Sequence, residues 1–130
     1  MAANRPTEYP FLGVDAPSGN YNVFPSALES DPDIYFHGTA ASVLEPIIAN
    51  GFRPAKTLSS VSFSATSSLA LGYACETRPA DEDGVVIAVR IETQNRAGIR
   101  KEAFGLHVDI IEPQPEIVGY CIIPASYRHI

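Results

Sequence analysis

Val85-Val86-Ile87-Ala88-Val89-Arg90-Ile91 is the clearest strand in the chain. Its branched, apolar residues run without alternation, which predicts burial on both faces of a sheet. An acidic turn, Pro79-Ala80-Asp81-Glu82-Asp83-Gly84, leads into it. Forward of it, His107 to Ile111 and Ile117 to Ile123 read as two more strands, parted by Glu112-Pro113-Gln114-Pro115. Backward of it, Val61-Ser62-Phe63-Ser64 alternates apolar and polar residues, as a half-buried strand does. Ile34-Tyr35-Phe36-His37 is a short strand closed by Gly38.

Two helices fit between these strands. Ser42-Val43-Leu44-Glu45 has the spacing of a capping box, and Leu44, Ile47 and Ile48 form one apolar face. Pro46 falls near the first turn, and Asn50-Gly51 supplies a left-handed stop. Thr66-Ser67-Ser68 offers cap hydroxyls to a second helix through Leu69, Ala70, Tyr73 and Ala74. Helices early, strands late and short connections predict an α+β fold, a mostly antiparallel sheet with short flanking helices.

With 130 residues there is room for one domain and one core. Residues 1–33, rich in Pro, Gly, Asn and Ser, read as an irregular segment packing its scattered aromatics onto that domain, with one short strand. Hydrophobic residues at 45% and charged ones at 18% are globular usage. The net charge of -6 argues against a general nucleic-acid binder, which needs a basic face, but leaves room for a basic pocket around one small anion. No apolar run approaches the roughly 20 residues that span a bilayer, and Met1 to Pro10 lacks the pattern of a secretion signal. The expected setting is the cytoplasm, of the producing cell or of a target cell. Cys75 and Cys121 have neither metal-ligand nor redox spacing and read as buried free thiols, with a disulfide between them as the alternative. His107 and His129 have no carboxylate or cysteine at ligand spacing, so no metal is expected.

Singly, the polar residues of these elements are ordinary; their order is not. Phe36-His37-Gly38-Thr39, a short helix, Asn50-Gly51-Phe52-Arg53, then Val61-Ser62-Phe63-Ser64 and Leu69-Ala70-Leu71-Gly72-Tyr73-Ala74 resemble the ADP-ribosyltransferase superfamily. The resemblance is closest to its diphtheria-toxin and poly(ADP-ribose) polymerase branch, marked by a His-Tyr-Glu triad. Glu116-Ile117-Val118-Gly119-Tyr120-Cys121-Ile122 resembles the late strand that begins with that branch's catalytic glutamate. Residues 34–75 and 116–123 carry the likeness, about half of the chain.

The resemblance implies a split, mostly antiparallel fold that binds NAD as co-substrate. It implies that Glu116 steadies the ribose cation, His37 binds the adenosine-side ribose, and the Gly38 main chain holds the nicotinamide amide with help from Thr39. It further implies that Tyr73 stacks on nicotinamide, that Arg53 faces a phosphate, and that Ser62 and Ser64 belong to the NAD-contacting strand. The chemistry suits one carboxylate: nicotinamide leaves as an already cationic group, so no general acid is needed, and a fixed anion stabilises the oxocarbenium-like charge.

Ser62 departs from the branch, which has a second tyrosine there, and matches the serine of the Arg-Ser-Glu branch, whose hydroxyl orients the catalytic glutamate. The resemblance therefore implies for Ser62 either that catalytic, glutamate-positioning role or a loss of activity. Losing one plate of an aromatic sandwich weakens nicotinamide positioning by about 1 kcal/mol. Gln114, two residues before Glu116, stands where the Arg-Ser-Glu branch reads its acceptor; its bland reading is a solvent-facing turn residue. The short span between Tyr73 and Glu116 favours single transfer over polymer synthesis. The expected function is therefore mono-ADP-ribosylation of a macromolecular acceptor, expected to be a protein. The alternatives are an inactive binding module that keeps the fold, and an NAD glycohydrolase.

Overall fold

The computed structural model of the chain describes residues 6–12, 22–54 and 60–127. Val14, Tyr21 and His129, which the sequence brought into consideration, lie outside these residues.

The elements in order are β1 (Thr7–Tyr9), α1 (Ser26–Glu29), β2 (Ile34–Ala40), a 3-10 turn (Ala41–Val43), α2 (Leu44–Asn50), β3 (Val61–Ser64) and α3 (Ser67–Thr77). There follow β4 (Gly84–Arg90), a second 3-10 turn (Thr93–Asn95), β5 (Ile99–Glu102), β6 (Gly105–Val108) and β7 (Glu116–Ile123). The strands form a seven-stranded sheet in the order β1-β7-β4-β2-β3-β6-β5. Every pairing is antiparallel except β1 on β7. The α+β reading of the sequence therefore holds.

β4 is central, buried from Gly84 to Val89, with β2 on one side and β7 on the other. Its alternate side chains feed two cores. Val86 and Ala88 pack with Phe24, Phe36, Leu71 and Ile123 on one face. Val85, Ile87 and Val89 pack with Leu44, Ile47, Phe52 and Phe63 on the other. A run apolar at every position is what a strand covered on both faces requires.

β2 and β3 meet at a single register position, Phe36 opposite Ser64. Beyond it β2 continues to Ala40 against β4 alone, so the sheet is open beside His37 and Gly38.

Thr66 caps α3, its hydroxyl accepting from the Leu69 amide at 3.4 Å. Ser67, Ala70, Leu71 and Ala74 are the buried residues of α3, at the i, i+3, i+4, i+7 spacing of one helical face. The small side chains let the helix lie directly on β2: a Cβ on Gly38 would stand 1.8 Å from the Ala70 carbonyl oxygen. The packing presents Tyr73 away from the core, 54% exposed.

The N-cap position of α2 falls at Val43 and not at Ser42, where the capping-box spacing puts it. The chain enters α2 through the 3-10 turn, and neither Ala40 nor Val43 makes a side-chain cap. A 3-10 turn satisfies early amides locally. Gly51 ends α2 at φ 85°, the left-handed stop read from Asn50-Gly51.

The N-terminal segment is held to α3 by a buried network. Ser67 Oγ accepts from the Val23 amide at 3.0 Å and donates to Glu29 Oε2 at 2.6 Å, and Glu29 also accepts from the Phe24 amide at 2.9 Å. Ser67 is fully buried, so nothing replaces its hydroxyl once removed. Ser67→Ala is expected to cost about 3 kcal/mol, because it strands a buried amide as well as losing a charge-assisted bond. The check is a urea unfolding midpoint, and a midpoint equal to wild type would show that the network adds nothing.

Candidate functional site

Where β2 and β3 part, the structure has a cavity of about 490 Å³. β2 contributes His37 and Gly38, β3 contributes Ser62 and Ser64, and α3 contributes Leu69 and Tyr73. The β5–β6 hairpin closes the other wall with Glu102, Phe104 and His107. A second cavity of about 470 Å³ shares His37 and Ser62, and adds Thr39, Ile47, Phe52 and Arg53. The residues expected around a dinucleotide thus divide between two hollows that meet at His37 and Ser62. Thr39 lines the hollow without Tyr73, so its hydroxyl does not join Gly38 and Tyr73 around one ligand group.

His37 is held on several sides. Its ring stands edge-on to Phe52 at 5.3 Å between centroids and tilted to Phe63 at 5.6 Å. Nδ1 lies 2.8 Å from the Ser62 carbonyl. A carbonyl only accepts, so Nδ1 carries the proton and Nε2 keeps its lone pair in the neutral ring. Burial lowers the pKa of His37, opposed by the hydrogen bond to Ser62. With the folded-state pKa depressed, the unfolded chain takes up the proton first on acidification. The stabilising contribution is then complete above about pH 6.5 and lost as pH falls through the lowered pKa. Urea midpoints measured from pH 7 to 5 are expected to fall, with a shallower fall in His37→Gln. Equal slopes would place the acid sensitivity elsewhere.

Ser62 and His107 are directly opposed across β3 and β6. Ser62 Oγ lies 3.0 Å from His107 Nδ1, and His107 Nε2 lies 3.3 Å from Glu102 Oε2. Glu102 and Phe104 belong to a hairpin that the sequence reading left unassigned. His107 reads as the start of a strand from the sequence, with no ligand-spaced partner and no role in the site. The alternation in Gly105-Leu106-His107-Val108, buried at Leu106 and Val108, is the signal that puts His107 on the polar face with Ser62.

Glu116 is placed elsewhere. It lines a separate cavity of about 370 Å³ with Arg90, Arg96, Glu112 and Gln114. Its Oε1 is 3.8 Å from Arg90 Nε, and its side chain is 70% exposed. Glu116 faces Arg90, which faces Ile34, three residues before His37. That register puts Glu116 two strands across and roughly 10 Å along the sheet from His37. Of the triad named by resemblance, His37 and Tyr73 share a cavity, and Glu116 does not line it.

Gln114 is neither solvent-facing nor free to read an acceptor. Its Oε1 accepts from the Phe52 amide at 2.7 Å, and its Nε2 donates to the Phe52 carbonyl at 3.0 Å and to Glu112 at 3.1 Å. It fixes the main chain that carries Phe52 against His37. Arg53, next along that chain, is exposed and makes no ion pair among the described residues.

Cys121 is fully buried and Cys75 partly exposed, and no disulfide joins them. Burial pushes the Cys121 thiol up to about 12, which leaves it unreactive at neutral pH. Among the described residues no three His, Cys, Asp or Glu side chains are grouped as a metal site requires, and no helix is long and apolar enough to cross a membrane. No protein-family model matches the chain, and no curated protein matches it significantly.

Proposed function

We propose that the chain is an NAD-dependent mono-ADP-ribosyltransferase of split-sheet, ADP-ribosyltransferase-like architecture. The observation that carries the proposal is that His37, Gly38, Ser62 and Tyr73, far apart in sequence, line one cavity where β2 leaves β3. Nicotinamide would occupy that cavity, its amide on the Gly38 main chain and its ring on Tyr73. The missing side chain at Gly38 lets α3 lie against β2, so that Tyr73 and the Gly38 main chain line the same cavity. Phe104, 72% exposed in the β5–β6 turn, would supply the second ring that Ser62 does not. The adenosine side would extend past His37 into the adjoining cavity, where Arg53, which makes no ion pair among the described residues, is a cation for a phosphate.

The carboxylate on the cavity wall is Glu102. Its Oε2 faces His107, and its Oε1 has no partner among the described residues, free to accept from a ribose hydroxyl. As the ribose C1′–nitrogen bond breaks, its electron pair leaves with nicotinamide and positive charge grows on the ribose. A fixed anion beside that charge lowers the barrier more than it strengthens ground-state binding. A nucleophile of a protein acceptor then bonds to C1′ and releases its proton. NAD is held inside cells, so the enzyme would act in the cytoplasm of the producing or the target cell.

The test is release of nicotinamide from labelled NAD, with calorimetric titration alongside. Wild type is expected to bind and release, and Tyr73→Ala to bind roughly 10-fold more weakly, the upper worth of one aromatic stacking contact. A folded protein that neither binds NAD nor releases nicotinamide would end the proposal. Binding without release would leave the binding-module reading, and release to water alone the glycohydrolase.

A further inference from the structure

We propose that Ser62, His107 and Glu102 form a nucleophilic relay, and that Ser62 Oγ attacks small apolar carboxylic esters admitted to the cavity under Tyr73 and Phe104. The activity needs no NAD and stands apart from the transfer proposed above.

The geometry supplies each part that an activated serine requires. The nucleophile touches its base: Ser62 Oγ is 3.0 Å from His107 Nδ1. The base touches a third group: His107 Nε2 is 3.3 Å from Glu102 Oε2. These contacts also set the direction of the protons. An ionised carboxylate can only accept, so the neutral ring carries its proton on Nε2, leaving the Nδ1 lone pair to accept from the Ser62 hydroxyl. Nucleophile, base and orienter in that order are the recurring signature of covalent acyl transfer, whatever the fold.

The order is built into the sheet. β3 and β6 place Ser62 opposite His107, and β5 returns Glu102 opposite Gly105, diagonal to His107 on the same face. Gly105 is itself obligatory, since a Cβ there would stand 2.0 Å from the Phe63 carbonyl oxygen. The same face carries Ser64, two residues after Ser62 and 8% exposed, whose hydroxyl makes no hydrogen bond among the described residues. It is a donor available for the oxyanion that forms on attack.

The cavity selects the substrate class. Its apolar wall, from Leu69, Tyr73, Phe104 and Leu106, suits a short acyl or aryl group. In the reaction Ser62 Oγ bonds to the ester carbonyl carbon while its proton passes to His107 Nδ1. The carbon–oxygen bond to the alcohol breaks, and the leaving oxygen takes that proton. Water, deprotonated by the same nitrogen, then hydrolyses the acyl-serine and restores the hydroxyl.

The experiment uses a fluorophosphonate probe and p-nitrophenyl butyrate, both without NAD, on the full chain. The probe is expected to label the peptide that contains Ser62, and Ser62→Ala is expected to lose both labelling and ester turnover. His107→Gln is expected to lower turnover by about 100-fold, and Glu102→Gln by roughly 10-fold. Ser62 is exposed, so the alanine variant is expected to unfold at the wild-type urea midpoint, confirming an intact fold. Labelling at another residue, no labelling, or turnover unchanged in Ser62→Ala would overturn the proposal. Nicotinamide release, read in the same preparation, keeps its failure separate from that of the NAD reading.

Discussion

Glu102→Gln is expected to lower nicotinamide release from NAD by at least about 100-fold, the usual loss when a group that stabilises transition-state charge is removed. The substitution keeps the size of the side chain and its capacity to hydrogen-bond, and removes only the charge. Because positive charge on the ribose appears as the bond stretches, the loss is expected in kcat, with the KM for NAD little changed. Glu116→Gln is the matched control, expected to leave release close to wild type. Glu116 is paired with Arg90, which also bridges to Asp31 at 3.1 Å, and this cluster sits on another cavity. The measurement is single-turnover release of labelled nicotinamide. The opposite pattern, with Glu116 essential and Glu102 dispensable, would move the carboxylate away from the hairpin.

Gly38→Ala is expected to destabilise the fold by more than about 3 kcal/mol, beyond ordinary overpacking. The added Cβ would stand 1.8 Å from the Ala70 carbonyl oxygen and 2.8 Å from the Ala74 nitrogen. Both are backbone atoms of α3, so no side chain can turn aside; either the helix lifts or β2 bends. Gly84→Ala provides the comparison, since its nearest contact would be the Ala74 carbonyl oxygen at 3.1 Å. Its expected cost is about 1 kcal/mol. Urea midpoints of the two variants check the ordering, and a Gly38→Ala protein as stable as wild type would mean that α3 does not lie on β2 in this way. A lifted helix would also displace Tyr73 and Leu69 from the cavity wall, so weaker NAD binding is expected to accompany it.

The parts of the fold that sequence reveals are those where burial imposes a period. β4 is apolar at every position because both faces are covered, β3 alternates because one face is, and Thr66 marks the start of α3. The β5–β6 hairpin escapes such reading. β5 is the edge of the sheet, and Ile99-Arg100-Lys101-Glu102 is exposed at every residue after the first, so no apolar alternation exists to detect. With that hairpin unread, Glu102 and Phe104 could not enter the site. Pairing of β3 with β6 is a long-range fact, and it alone turns an isolated Ser62 and an isolated His107 into neighbours. Glu116 illustrates the converse. A short resemblance placed it at the start of a strand, where it is, but the number of strands between it and His37 is a property of topology rather than of local pattern. Gln114 likewise reads as a turn residue until Phe52, distant in sequence, is seen within its reach.

A crystal structure of the NAD complex tests the central claim most directly. The expected result is the nicotinamide ring against Tyr73, its amide on the Gly38 main chain, and the ribose within hydrogen-bond distance of Glu102. The dinucleotide seated between Arg90, Arg96 and Glu116, with the cavity beside β2 unchanged, would contradict it.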